Sequence, residues 1–259
     1  MNAPDENTDP IPAATLVVFR AGRSTPEPEI LMTVRSRTMA FAGGMAVFPG
    51  GRVDPQDRAL AECVVPPDGR EDAAHRIAAI RETLEETGLA LGLKGEMDAR
   101  LAADARALLL EKRELAPVLE AFGLALDLEA LTPFARWLPL GLAHNRIFDT
   151  MFYLADLGTG AVEIEVDATE NTRLFWVTAA QALAMADRGD ISVIFPTRRN
   201  LERLAQFSSF AEARTHARRT PVRAITPQVV EEEGGSFLTI PDDLGYPVTR
   251  EQLDGAMRG

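Results

Sequence analysis

Cysteine occurs once in the 259 residues, at Cys63, which excludes a disulfide framework and any zinc site built on cysteine pairs. Lysine occurs twice, at Lys94 and Lys112, and the arginines are dispersed rather than gathered with aromatic residues. With 27 Lys+Arg against 39 Asp+Glu, the formal net charge is −12. A chain of that sign repels polyanions unless it carries a local basic patch, and none is visible, so nucleic acid is not expected as a partner. No apolar run approaches the roughly 20 residues needed to span a bilayer, so no membrane partner is expected either. The opening MNAPDENTDPIPAA has neither the basic nor the apolar segment of a secretion signal. These absences together predict a cytoplasmic protein; the composition is compatible with a homodimer.

What is present is the make-up of an ordinary globular chain, 46% hydrophobic and 25% charged, long enough for one large domain or two small ones. Residues 1–12 are polar and proline-bearing and are expected to be flexible. AATLVVF (13–19) and EILMTVR (29–35) are short β-branched runs joined by the turn-rich RAGRSTPEP, a hairpin signal. FAGGMAVFPGG (41–51) leads into residues 52–70, where Asp54-Pro55 and Pro66-Pro67 predict a loop. Apolar residues then recur at helical spacing from Glu71, with Gly88 as the stop. Residues 96–122, rich in Ala, Leu, Glu and Arg, predict one or two amphipathic helices. FARWLPL, FDTMFYLADL and TRLFWV predict strands. TAAQALAMADRG (178–189) predicts a helix capped by Thr178 and ended by Gly189. Another helix is expected near Thr197, and the proline-bearing tail from 220 predicts irregular chain with a short strand at SFLTI. Strands and helices interleave, so the expected architecture is a mixed sheet covered by helices.

The stretch RETLEETGL (81–89) poses a physical question. Glu82, Glu85 and Glu86 lie at i, i+3 and i+4, on one helix face where like charges repel. A solvated helix face accounts for most charge runs. Two features favour a site instead. The upstream FPGG has glycines that let backbone approach a ligand closely. The three carboxylates also offer hard oxygen donors aimed at one point, the set that Mg2+ or Mn2+ prefers with waters completing an octahedron. Such a cation would cancel the repulsion.

GG…RETLEETGL closely resembles the signature of the Nudix hydrolases, Gly-x5-Glu-x7-Arg-Glu-U-x-Glu-Glu-x-Gly-U, with U apolar. Arg81, Glu82, Glu85, Glu86, Gly88 and Leu89 match in order, and Thr83 holds a position that is usually aliphatic. The resemblance implies an α/β/α sandwich with a mixed β-sheet, and metal-dependent cleavage of a diphosphate linked to another moiety. It implies Glu82, Glu85 and Glu86 as ligands of Mg2+ or Mn2+, joined by the carbonyl of Gly50, and Arg81 as the residue that orients the glutamates. For the general base it leaves Glu85 or Glu170, the latter just before a strand in DATENTRLFWV. The spacing departs from the pattern. Arg81 follows Gly51 by 30 residues where the signature has 14, so 16 residues are inserted. Counted back from Arg81, the first glutamate of the pattern falls on Ala73, for which Glu71 or Asp72 is expected to substitute.

An expanded box of this kind resembles the peroxisomal coenzyme A diphosphatase branch of the family, as do the segments 48–57 and 133–155. LMTVRSRTMAFAGGMAVFPGG (31–51) is similar to the coenzyme A motif of related enzymes. Arg35, Ser36, Gly44 and Phe48 to Gly51 match it, whereas Ala40 stands where the motif has a second arginine, with Arg37 nearby. Arg35, Arg37 and Gly51 are thereby implied as substrate contacts. The implied Nudix domain spans 13–240, with 52–70 as an inserted loop, 96–126 as a helical insertion and 241–259 as a C-terminal tail. The expected substrate is a small-molecule diphosphate, coenzyme A or an acyl-CoA. The alternatives are ADP-ribose or another nucleoside diphosphate derivative, and a non-enzymatic metabolite-sensing domain, which retention of all three glutamates disfavours. Among the remaining polar and aromatic residues, Glu163 and Glu165 are expected on an edge strand, and His144 and Arg146 in a loop. Asp149 is expected as a structural hydrogen-bonding residue, and Trp137 and Trp176 in the core or a pocket wall.

Overall fold

IPAATLVVFR forms β1 (Ile11–Arg20), and its side chains alternate between two buried environments. Leu16 and Val18 pack into one apolar cluster, Val17 and Phe19 into another. A strand covered on both faces reads as a continuous apolar run and belongs in the middle of a sheet. The computed structural model describes residues 9–23, 25–36, 42–66, 69–140, 146–158 and 171–253. After β1 come β2 (Glu29–Arg35), β3 (Ala46–Val47) and β4 (Gly50–Arg52), then helices α1 (Pro55–Val64) and α2 (Ala73–Thr87). β5 (Leu93–Lys94), α3 (Ala99–Lys112), α4 (Leu115–Phe122) and β6 (Ala125–Leu126) follow. β7 (Thr132–Trp137), β8 (Phe148–Asp156) and β9 (Asn171–Thr178) return to the main sheet. The chain ends with α5 (Ala179–Asp187), α6 (Phe195–Leu204), α7 (Phe210–Arg219), β10 (Ala224–Ile225), β11 (Gln228–Glu232), β12 (Gly235–Thr239) and β13 (Arg250–Gln252).

β1 is parallel to β8 along one edge, from Ile11 opposite Phe148 to Phe19 opposite Asp156. Its other edge is shared. Ala13, Ala14 and Thr15 pair with β4, and only Phe19 and Arg20 pair with β2. β2 therefore diverges from β1 and takes β3 on the freed edge, with Thr33 opposite Val47, while β9 lines its far side. Phe48 and Pro49 cross from one strand to the other, so FPGG is wedged into the splay between β1 and β2.

Helices cover both faces. Ile77, Ile80 and Leu84 of α2, Leu109 of α3 and Val118 of α4 pack under Leu16, Val18 and Leu31. Phe195, Leu201 and Leu204 of α6 and Ala213 of α7 pack over Val17, Phe19, Ile30 and Met32. Each such fully buried aliphatic side chain stabilises the fold by about 1.5–3 kcal/mol. The result is the expected α/β/α sandwich on a mixed sheet.

Three expectations need correction. Residues 52–70 contain a helix, α1, rather than being a loop throughout. Pro55 occupies its first turn, where a missing N–H costs nothing, and the Asp57 carboxylate accepts from the Asp54 N–H at 2.9 Å. The tail has the strand expected at SFLTI, β12, but is not irregular around it, because β11, β12 and β13 form an antiparallel sheet of their own, and Leu244 and Tyr246 are buried. Ile11 and Pro12, expected in the flexible start, belong to β1. Among the described residues no helix is long and apolar enough to cross a membrane.

Candidate active site

α2 ends at Gly88, whose backbone is left-handed (φ 75°) and whose N–H bonds the Leu84 carbonyl at 2.9 Å. With its apolar side turned to the sheet, the helix brings its carboxylates to β4. The Gly50 N–H donates to Glu86 Oε2 at 3.1 Å, and Glu86 is only 3% exposed. Gly50 has φ +154°, and a Cβ there would sit 2.3 Å from the Ala14 carbonyl oxygen. At Gly51 a Cβ would lie 2.4 Å from the Glu82 carboxylate. Gly50 is required by the close approach of β4 to β1, and Gly51 leaves the room that the Glu82 carboxylate fills.

Arg81 is the hub behind these carboxylates. Its Nε and Nη2 donate to the two oxygens of Asp57, each at 3.0 Å, and Nη2 also reaches the Arg52 carbonyl at 3.0 Å. Its Nη1 lies 2.9 Å from Glu82 Oε1 and 3.7 Å from Glu85 Oε2. Burial alone would weaken the proton's hold on this guanidinium. The bond with Asp57 and the charges of Glu82, Asp57 and Asp54 outweigh it, so the Arg81 pKa is raised. Arg81 is fixed as a cation.

Asp57 is the residue that sequence reasoning missed. Counting back from Arg81 led to Ala73 with Glu71 or Asp72 as substitutes, but Asp72 serves Arg76, at 2.8 Å, and the Tyr153 hydroxyl, at 3.1 Å. Counting forward six residues from Gly51, as the signature prescribes, lands on Asp57. The insertion lies after this position, and the fold closes the gap.

The glutamates do not converge on one point. Glu82 turns to Arg81, Glu86 to the Gly50 N–H, and Glu85 lies between Arg81 and Arg113 at the end of α3. Among the described residues no three metal-ligating side chains stand close enough together to hold an ion. Like charges on one helix face have spread toward the nearest donors. The donor chemistry, carboxylate oxygens beside the half-buried backbone of β4, still fits a hard divalent cation.

The other candidate residues separate. Arg35 ends β2, its N–H donating to the Met45 carbonyl at 3.0 Å, and its Nε is buried without a hydrogen-bond partner among the described residues. Asp149 is clamped by Arg136 through two bonds of 2.8 and 2.6 Å, the structural role expected of it. Trp137 is core, 1% exposed, and Trp176 lies under Arg20 at 4.2 Å. Cys63 is exposed. Arg37, Glu170, His144, Glu163 and Glu165 lie outside the described residues.

No protein-family model matches the chain. The curated acyl-coenzyme A diphosphatase NUDT19 of Gallus gallus is 26% identical over 288 residues, spanning 87% of this chain and 76% of that protein. The crystal structure of a NUDIX hydrolase from Alicyclobacillus acidocaldarius superimposes with a TM-score of 0.69 at 31% identity, covering 80% of this chain and 96% of that one. That identity extends over nearly the whole of a solved relative with the same sandwich, and the signature residues stand on one helix against FPGG. The chain belongs to the Nudix hydrolase family.

Proposed function

We propose that this enzyme hydrolyses the diphosphate bond of coenzyme A or an acyl-CoA, with Mg2+ or Mn2+ as cofactor. The observation that carries the reading is the approach of Gly50-Gly51 to Glu82 and Glu86, which sets strand backbone beside anionic oxygens. Similarity to an acyl-coenzyme A diphosphatase over 87% of the chain supports the substrate class, as does the coenzyme A-like motif in residues 31–51.

A divalent cation held by Glu82, Glu85, Glu86 and the Gly50 carbonyl would supply a Lewis acid that offsets phosphate charge and acidifies water. The chain's own residues do the rest. Arg81, pinned by Asp57, holds Glu82 in place. Glu85, or Glu170 in the segment before β9, takes the proton as water attacks one phosphorus in line. Arg35, at the end of β2, bonds a phosphate oxygen through a charge-assisted contact. Cleavage of coenzyme A then yields 3′,5′-ADP and phosphopantetheine.

The test is a panel of coenzyme A, acetyl-CoA and ADP-ribose, each with Mg2+, Mn2+ or a chelator, with products identified by mass. Expected is metal-dependent cleavage with kcat/KM highest for a coenzyme A species. Preference for ADP-ribose under both metals would overturn the substrate assignment, and turnover in chelator would overturn the cofactor.

A further inference from the structure

The helical insertion sends two arginines from one face of α3 to the end of α2. Arg106 and Arg113 are seven residues apart, two helical turns, so they point the same way. Arg106 is 8% exposed, and its Nε donates to the backbone carbonyl of Glu85 at 2.9 Å. Arg113, two turns further along, pairs with the Glu85 carboxylate itself. Arg106 anchors α3 to the catalytic helix; Arg113 touches the catalytic carboxylate.

The backbone at Arg113 is unusual. It is the C-cap of α3, with φ 60° and ψ 18°, and its N–H bonds the Leu109 carbonyl at 2.7 Å. Glycine is the residue this left-handed position favours. Ala42 is the other non-glycine residue with positive φ among the described residues. An arginine held in a conformation that costs energy points to a use for its side chain. That side chain is 66% exposed while its Glu85 partner is 12% exposed. An ion pair with one end so open to water is weak and easily exchanged.

We propose that Arg113 is a specificity residue that moves between two partners. One partner is Glu85, which it helps Arg81 to neutralise. When Glu85 turns to share a divalent cation with Glu82 and Glu86, the freed guanidinium takes the phosphate of the arriving diphosphate, which its planar fork suits. The exchange keeps Glu85 compensated at every stage and couples cation entry to substrate entry. The inference rests on the diphosphatase reading and adds a residue to it from outside the signature.

The two roles predict effects of opposite sign. In Arg113→Gly the backbone is relieved and the guanidinium removed, so the variant should fold at least as stably as the parent. Calorimetric titration with Mn2+ alone should show tighter binding than in the parent, because a competitor for Glu85 is gone. Titration of α,β-methylene-ADP, whose diphosphate cannot be cut at the bridge, in saturating Mg2+ should show affinity weakened by about tenfold, as expected for one lost hydrogen-bonded charge. Arg113→Lys should fall between for the nucleotide.

Unchanged affinity for both probes in Arg113→Gly would overturn the proposal, and so would parallel weakening of both, the mark of a merely structural residue. Failure of the underlying reading looks different: the parent protein itself would then bind neither Mn2+ nor the analogue.

Discussion

At the scale of the residue, Glu86 joins strand to helix. Its carboxylate accepts the Gly50 N–H at 3.1 Å from a site only 3% exposed. Glu86→Gln keeps an acceptor oxygen of the same shape there but removes the charge. Melting temperature should hold or rise slightly, since repulsion with Glu82 is relieved by a few tenths of a kcal/mol. Turnover should fall by more than the roughly 10–100-fold typical of residues one shell outside a metal. Full turnover in a well-folded Glu86→Gln protein would remove Glu86 from the reaction.

At the scale of the element, one carboxylate fastens two helices. Asp57 closes the first turn of α1 and grips Arg81 of α2 with both oxygens, the pair being 1% and 3% exposed. Asp57→Asn leaves a buried cation short of its main partner, and breaking such a pair costs about 3–5 kcal/mol. Urea unfolding should show a loss near the lower bound, because Glu82 still faces Arg81; a loss within error would mean that the helices are held by apolar packing alone.

The same elements show what the sequence could and could not reveal. β2 begins and ends where EILMTVR does, because a β-branched run bounded by turn residues is a local signal. α5 starts after Thr178, which accepts the Gln181 N–H at 3.1 Å, and is followed by Gly189. α1 was hidden because Asp-Pro marks turns and helix starts alike. β12 was legible as SFLTI, whereas β11 was hidden because its pairing, Val230 opposite Phe237, counts for more than the prolines around it. Of the site, the glutamates and glycines were legible in their spacing. Asp57 was legible only by counting from the other end of the signature, and Arg113 not at all, since α3 reaches α2 through packing that leaves no trace in local sequence.

At the scale of the whole molecule, each face of the sheet carries a histidine that resists protonation. His75 on α2 has its pKa lowered from 6.5 by burial above all, with Arg58 and Arg136 adding and Asp149 and Asp72 opposing. His216 on α7 is lowered by burial and then by Arg203. Below 6.5 the unfolded chain takes up protons that the folded chain refuses. This contribution to stability is therefore complete above 6.5 and lost as pH falls through that value toward the depressed folded pKa. Thermal melts should drop between about pH 7.5 and about pH 5.5, and the drop should shrink when His75 and His216 are both replaced by Gln. A rise in stability toward the acid side would contradict this.

The ion pair between Asp57 and Arg81 spans 24 residues of sequence, and it aligns the two halves of the signature by charge rather than by tether length. The connection from Val65 to Asp72 has no alignment to keep. It is an insertion port at the end of the α1–α2 pair opposite Asp57 and Glu82. Pro66 and Gly69 are exposed, and doubling this stretch with Gly and Ser after Gly69 should cost only about 0.6 kcal/mol in loop entropy. Turnover should be unchanged, so that a fluorophore-bearing tag or a binding peptide placed there would be carried at a distance from the carboxylates without disturbing them.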